Sequence, residues 1–198
     1  MKRFLLTALL GATAVLPISA PTASAATVQV SAFQNSSSGG IGALAGVVNA
    51  GDALSITVDP LDLWSAGPLP RWSNANGLTG PLLATGSDES GLAPNTLIGQ
   101  SFGTYTQGNL SAAFGTLVGR IGGGSYFVVG TSFNGTAASA GPLELFYWDS
   151  NFSDNREFIA ATVNIGNTSL VPLPAAVWLF VAGGLGVVGI ARRRKQAA

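Results

Sequence analysis

The segment from Trp148 to Asn155 carries the densest group of oxygen-bearing side chains in the chain. Two carboxylates (Asp149 and Asp154) and two amides (Asn151 and Asn155) lie within seven residues. Carboxylate, amide and backbone carbonyl oxygens are the ligands that Ca²⁺ prefers. The segment is not an EF-hand loop, because the required glycine and closing glutamate are missing. The same composition also fits a polar turn that needs no metal, so both interpretations stay open at this point.

A second polar segment combines two tryptophans with serine and asparagine. Trp64 and Trp72 lie on either side of a Gly-Pro turn, and Asn74 and Asn76 follow closely. An aromatic ring can cover the apolar face of a sugar while amides pair with its hydroxyls, so Trp72, Asn74 and Asn76 are candidate sugar contacts. The alternative is that the tryptophans close an open end of the hydrophobic core. This second interpretation is favoured for Trp64.

Composition excludes several classes of enzyme. The chain has no His and no Cys, which excludes a Ser-His-Asp triad, a Cys nucleophile and the usual zinc sites. Asp88 and Glu89 are adjacent in sequence and point apart, and no other pair of carboxylates suggests a glycosidase. We therefore expect a non-catalytic protein.

The charges are distributed unevenly along the chain. Residues 26–171 contain three arginines, no lysine and all nine carboxylates, a net charge of −6, whereas the six other basic residues lie near the two ends. Binding to nucleic acid needs a basic surface that neutralises phosphates. An acidic body is therefore not expected to bind nucleic acid.

The body, residues 26–170, has the pattern of an all-β domain. Short runs of β-branched and aromatic residues alternate with Gly, Ser, Thr and Asn. Six to eight short strands predict a β-sandwich or jelly roll. A hairpin turn is predicted at 122–125. The run 143–148, which becomes continuously apolar after Glu144, predicts a central strand buried on both faces. The segment 73–113 is expected to be an elaborated loop with a short strand near Leu97-Ile98. The strands are predicted at 27–33, 54–58, 116–121, 126–129, 143–148 and 159–165.

Both ends of the chain have the pattern of targeting signals. Residues 1–25 begin with Lys2 and Arg3, continue as an apolar run and end in Ala23-Ser24-Ala25, which predicts a signal peptide removed by signal peptidase after Ala25. Near the other end, an uncharged apolar stretch at about 173–191 predicts a transmembrane helix. The basic end at 192–195 is expected to stay in the cytoplasm.

The C-terminal segment 171–198 resembles the VPLPA-type PEP-CTERM sorting tails of Gram-negative bacteria. The resemblance rests on a box, an apolar helix and a basic end in that order, and its residues are Val171, Pro172, Leu173, Pro174, Ala175, Arg192, Arg193 and Arg194. It implies recognition by an exosortase, export across the inner membrane, transient anchoring there, and final location at the cell surface or in the extracellular matrix. A plain C-terminal anchor is the alternative.

The body resembles the PA-I galactophilic lectin family, whose members are calcium-dependent galactose-binding β-sandwiches. The resemblance rests on short motifs at 49–56, 64–72, 115–122 and 143–165. It implies that calcium is held by Asp149, a carbonyl near Ser153, the side chains of Asp154 and Asn155, and the carbonyl of Ala66. Arg156 replaces a small residue of the family and is expected to compete for Asp149 or Asp154.

The sugar-binding half of the resemblance is incomplete. The family uses a His and a Gln on the loop after the Trp motif, and this chain has no His and a much longer loop. Galactose specificity is therefore not carried over. The sequence predicts an exported protein that binds an exopolysaccharide or surface glycan with the help of calcium. The alternative is a structural biofilm matrix or surface component with no specific sugar ligand.

Overall fold

The computed structural model describes residues 24–166, which form an all-β domain. A single 3₁₀ turn, Phe152–Asp154, interrupts the strands of this part of the chain. The strands in chain order are β1 (Ser24–Ser31), β2 (Ala43–Val48), β3 (Ala53–Val58), β4 (Trp64–Ser65), β5 (Trp72–Ser73), β6 (Leu82–Leu83), β7 (Leu97–Gly99), β8 (Thr104–Gln107), β9 (Leu110–Ala113), β10 (Leu117–Ile121), β11 (Tyr126–Val128), β12 (Ser132–Thr136), β13 (Gly141–Tyr147) and β14 (Phe158–Gly166).

Eight of these strands form two four-stranded antiparallel sheets. One sheet has the order β1-β14-β3-β12 and the other β11-β10-β13-β2. Side chains from both sheets meet in one hydrophobic core, with Ile56 and Ile159 from the first sheet and Leu117 and Leu145 from the second fully buried. The architecture is consistent with the predicted β-sandwich, but six further short strands bring the total in the described residues to fourteen, more than the six to eight predicted.

The second half of strand β13, residues 145–147, is buried on both faces, as its apolar run predicts. Leu143, Leu145 and Tyr147 face the main core. On the other face, Phe146 packs in a second cluster with Trp148, which the β8–β9 hairpin covers. The end of β13 is therefore rigidly placed, and this matters because the polar segment begins directly after it.

The six predicted strands correspond to β1, β3, β10, β11, β13 and β14. The predicted turn at 122–125 lies between β10 and β11. Two strands of the sandwich, β2 and β12, were not predicted. β2 reads Ala-Leu-Ala-Gly-Val-Val and β12 reads Ser-Phe-Asn-Gly-Thr, and both lie at sheet edges. Ala, Gly and Asn have low strand propensity, so neighbouring strands rather than local sequence determine these elements.

The segment 73–113 contains more structure than the predicted loop. The expected strand near Leu97-Ile98 is present as β7, and it pairs with β6. The β8–β9 hairpin was not expected. These short elements pack against one end and one outer face of the sandwich.

The chain ends of the described body and the polar segment lie at opposite ends of the sandwich. Ser24 at the start of β1 pairs with Ile165 near the end of β14. At the other end of this pair, β1 leads into Ala32, and β14 begins shortly after Asn155. We call the first end the terminal pole and the second the site pole.

Among residues 24–166 the structure has no helix long and apolar enough to cross a membrane. The predicted signal peptide, apart from Ser24 and Ala25, and the predicted sorting tail with its transmembrane helix lie outside the described residues.

Candidate functional site

The site pole begins where β13 delivers Asp149 into a buried position. The Asp149 residue is only 5% exposed. Its Oδ1 accepts hydrogen bonds from the backbone N–H groups of Ser150 (2.6 Å) and Asn151 (3.4 Å). Its own backbone is hydrogen-bonded to the hydroxyl of Ser37. These bonds fix the carboxylate at the end of the sheet.

A 3₁₀ turn then presents Asp154. Asn151 caps this turn by accepting hydrogen bonds at Oδ1 from the N–H and hydroxyl of Ser153. Asn151 Nδ2 donates to Asp154 Oδ1 at 3.0 Å. Ser153, whose carbonyl is a predicted metal ligand, lies exposed in the middle of the turn.

Asn155 is the least satisfied polar group of the segment. The residue is 5% exposed, and its Nδ2 donates to the carbonyl of Ala32 at 3.0 Å. Its Oδ1 is buried and has no hydrogen-bond partner among the described residues. Leaving a buried acceptor unpaired costs about 1–3 kcal/mol. This oxygen is therefore available to a donor or cation.

The β4–β5 hairpin is attached to this segment by its backbone. Ser65 and Arg156 exchange two hydrogen bonds, N to O at 3.1 and 3.0 Å. The next turn contains Ala66 and Gly67, and Gly67 has φ +117°. A Cβ at Gly67 would collide with the carboxylate of Asp154. Glycine is needed here because the turn and the carboxylate approach so closely.

The structure thus brings together the predicted metal ligands Asp149, Asp154 and Asn155 and the turn that contains Ala66. Two carboxylates, one amide and nearby backbone carbonyls make up the group. No cluster of three or more Asp, Glu, His or Cys side chains suited to a metal ion occurs in residues 24–166. A cation at this place would depend on neutral oxygens as well as on the two charges.

Burial changes the acidity of two groups in the cluster. Desolvation raises the pKa of Asp149, and the nearby charge of Asp154 adds to this rise; hydrogen bonds from the backbone of Asn151 and Ser150 and from the Asn155 side chain oppose it. Desolvation also raises the pKa of the Tyr147 hydroxyl well above its usual range, and the charges of Asp149 and Asp154 raise it further.

An arginine does pair with the cluster, but it is not the one expected. Arg71 Nη1 lies 3.6 Å from Asp154 Oδ2, and the Arg71 guanidinium lies 4.4 Å from the centre of the Phe102 ring. Arg156 forms no ion pair among the described residues. The expectation that Arg156 competes for the carboxylates is therefore not met, because its backbone rather than its side chain is what joins the cluster.

Two clefts lie on either side of Trp72. The first, which we call the Trp72–Arg156 cleft, has a volume of about 320 Å³ and adjoins the carboxylate cluster. It is lined by Ser65, Gly67, Pro68, Leu69, Trp72, Asp154 and Arg156. The second, the amide cleft, has a volume of about 200 Å³. It is lined by Trp72, Ser73, Asn74, Asn76, Gly77, Thr79, Gly80, Pro81 and Leu82.

The two tryptophans have different roles. Trp64 is fully buried, its ring packs edge-on against Tyr147 with centroids 4.5 Å apart, and its Nε1 donates to the carbonyl of Gly115 at 3.0 Å. The interpretation of Trp64 as a core residue is confirmed. Trp72 is only partly buried and lines both clefts. Of these two tryptophans, it is the one whose ring is accessible to a ligand.

The two predicted amide contacts lie in the amide cleft and are largely engaged within the protein. Asn74 Nδ2 donates to the carbonyl of Pro60, and its Oδ1 accepts from the N–H of Asn76. Asn76 Oδ1 accepts from the N–H of Thr131 at 2.9 Å. Both side chains therefore stabilise loops in this structure. In the Trp72–Arg156 cleft, by contrast, the charged side chain of Arg156 forms no ion pair among the described residues.

Arg71 and Gly67 are parts of the site that sequence reasoning did not assign. Both lie in the Trp64–Trp72 hairpin, in which the sequence singles out the aromatic residues. The missing information was that Ser65 pairs with Arg156, a contact across 91 positions of sequence. No local pattern indicates such a contact.

A third and larger cleft at the site pole is acidic. It has a volume of about 750 Å³, and four carboxylates and several leucines line it. Burial raises the pKa of one of them, Asp62, whose Oδ2 accepts from the N–H of Ala160 at 2.6 Å. The acidic residues are Asp59, Asp62, Asp88 and Glu89.

Comparison with known proteins gives a distant structural match. No family model matches the sequence, and no curated protein matches it. Among solved structures, the chain is similar to one described as "EclA N-terminal domain; PllA-like lectin". The identity is 18%, the match covers 72% of this chain and 93% of that chain, and the TM-score is 0.39. A likeness this distant assigns neither a ligand nor the role of any residue.

The raised pKa of Asp149 predicts how the stability of the protein depends on pH when a chelator keeps it free of metal. A carboxyl with a raised folded-state pKa stabilises the fold at low pH, and this stabilisation is lost as pH rises through that pKa. Asp149→Asn removes the charge and keeps an acceptor for Ser150 and Asn151. We expect the variant to unfold at higher denaturant than the parent at pH 7, and the difference to shrink on acidification towards the ordinary pKa of a carboxyl group. A constant difference between the two proteins across this range would contradict the assignment.

Proposed function

We propose that this protein is an exported carbohydrate-binding protein that holds part of an exopolysaccharide or surface glycan in the Trp72–Arg156 cleft, with calcium bound beside it. The observation that carries the proposal is the unpaired, buried Asn155 Oδ1 next to two carboxylates and an adjoining cleft with a partly exposed tryptophan. These features lie at one pole and come from three separate parts of the chain.

The residues present fit a calcium ion. Asp149, Asp154 and Asn155 offer hard oxygens, and the carbonyls near Ala66 and Ser153 complete a mixed ligand set of the kind calcium accepts. A bound cation would satisfy Asn155 Oδ1 and offset the cost of burying the Asp149 charge. Calcium would supply positive charge that orients sugar hydroxyls. Trp72 would cover an apolar face of the sugar, and Arg71 would hold Asp154 towards the Ala66–Gly67 turn.

The position of the site suits display on a surface. β14 runs from the site pole to Gly166, and only four residues separate Gly166 from Val171 of the proposed sorting box. At 3.3 Å per residue, this nine-residue strand holds the cleft roughly 30 Å from the point where the tail leaves the body. A body attached through its tail would therefore present the cleft away from the attachment.

The calcium part of the proposal is tested by thermal unfolding of residues 26–170. We expect calcium to raise the unfolding midpoint relative to chelator, since a ligand at one hundred times its Kd stabilises by about 2.7 kcal/mol. Asp154→Asn should reduce this shift and Asn155→Ala should abolish it, whereas Glu89→Gln, an exposed carboxylate away from the cluster, should leave it unchanged. Equal midpoints with calcium and chelator would mean that the segment is a polar turn and not a metal site.

The carbohydrate part is tested on a glycan array with calcium present. We expect binding to a subset of glycans, and Trp72→Ala should weaken it by about tenfold or more because stacking on the indole is lost. Trp72→Phe should retain part of the affinity, and Phe158→Ala, which removes an exposed aromatic ring outside the cleft, should retain all of it. Absence of binding to every glycan would leave the structural matrix protein as the better account.

The sorting part is tested by intact-mass spectrometry of the protein recovered from a Gram-negative host. With an exosortase that recognises the box, we expect the mature protein to lack residues 192–195. A variant with both Pro172→Ala and Pro174→Ala should keep them and remain in the membrane fraction. Recovery of the basic end on the parent protein at the cell surface would rule out cleavage and favour a plain anchor.

A further inference from the structure

The three arginines of the body are in different electrostatic situations. Arg120 is half-buried and bonds Glu144 Oε2 at 2.9 Å. Arg71 pairs with Asp154 and stacks on Phe102. Arg156 is exposed and has no ion pair among residues 24–166. Among the described residues it is thus the one arginine whose charge remains available to a ligand.

This available charge lies at the cleft that already contains the accessible tryptophan. Arg156 and Trp72 both line the cleft, and Pro68 and Leu69 form apolar parts of its wall. Asp154 also lines it, but its charge is balanced by Arg71 at 3.6 Å. The backbone of Arg156 is fixed by Ser65, so the side chain extends from a rigid position. The cleft therefore combines an aromatic face with an uncompensated positive charge.

The surrounding surface is negative. Beside the cleft, the same pole carries the acidic cleft with Asp59, Asp62, Asp88 and Glu89, and Glu157 follows Arg156 directly. An anionic polymer is repelled by these carboxylates at short range, within about 10 Å at 0.1 M salt. It can approach closely only where a cation offsets that field. At this pole, the Trp72–Arg156 cleft is therefore a place where a positive charge offsets the repulsion of an acidic ligand.

We infer that the Trp72–Arg156 cleft selects an acidic sugar, a uronic acid unit of an anionic polysaccharide, whose carboxylate pairs with Arg156 while its ring lies on Trp72. This inference rests on the proposed carbohydrate-binding function and specifies its ligand class. A guanidinium offers a planar set of donors that matches a carboxylate. A cleft of about 320 Å³ lies at the small end of ligand pockets, so it suits a short stretch of a chain.

The test compares an acidic oligosaccharide with its exact neutral counterpart. Full-length protein in detergent is titrated with a galacturonate trimer, a glucuronate trimer and the carboxyl-reduced form of each, in which every carboxylate has become a CH₂OH group. Calorimetry is run at low and at moderate salt. We expect at least one acid trimer to bind about tenfold or more tightly than its reduced form, since hydrogen bonds between a guanidinium and a carboxylate are about twice as strong as those between neutral groups. The preference should decrease with salt.

Variants at position 156 locate the preference. Arg156→Gln should lower affinity for the acid trimer to about that of the reduced trimer, and should lower affinity for the reduced trimer much less. Arg156→Lys should keep part of the preference. Glu157→Gln, the matched neutralisation of the neighbouring charge, should keep or increase it. Because the contacts with Ser65 use the backbone of Arg156, an unchanged unfolding midpoint is expected for all three variants.

The outcomes separate the two proposals. Equal binding of acid and reduced trimers overturns the acidic-sugar inference and leaves carbohydrate binding intact. A preference that persists in Arg156→Gln assigns it to another cation, such as bound calcium, and removes Arg156 from this role. If no trimer binds and the glycan array is also negative, both the inference and the proposed function fail.

Discussion

The two backbone hydrogen bonds between Ser65 and Arg156 are the contact on which the candidate site depends. They attach the β4–β5 hairpin to the segment that returns from the end of β13. Through this attachment the Ala66–Gly67 turn reaches Asp154, Trp72 becomes the wall of a cleft, and Arg156 is placed at its edge. The sandwich supplies rigid strand ends, and this one pairing turns them into a site.

The core and the site make opposite use of burial. Ile56, Leu117 and Leu145 are buried apolar side chains, and each stabilises the sandwich. At the site pole, burial instead raises the pKa of Asp149 and leaves Asn155 Oδ1 without a partner. Such groups cost free energy, so the well-packed end of β13 must offset them. The proposed calcium ion would give Asn155 Oδ1 a partner and would reduce the cost of burying the Asp149 charge.

Sequence patterns predicted the sandwich better than they predicted the site. Alternation of apolar and polar residues identified β3 and β14, because one face of each strand is buried in the core. The continuous apolar run identified β13, because the second half of that strand is buried on both faces. β2 and β12 are rich in Ala, Gly and Asn and form through pairing with their neighbours, so local propensity does not reveal them. The β8–β9 hairpin is likewise defined by its packing on Trp148. In the 73–113 segment only β7 was anticipated.

The site shows the same division between local and distant information. The grouping of Asp149, Asp154 and Asn155 follows from their position after a buried strand, and their union with the Ala66 turn followed from resemblance to a lectin family. The partner of Asp154 could not be predicted in this way: Arg156 is adjacent to the cluster in sequence, yet Arg71 is adjacent in space. Proximity in sequence therefore predicted the wrong arginine, because the backbone of Arg156 is engaged in two hydrogen bonds with Ser65. The same backbone pairing places the Arg156 side chain at the Trp72–Arg156 cleft, where it forms no ion pair among the described residues.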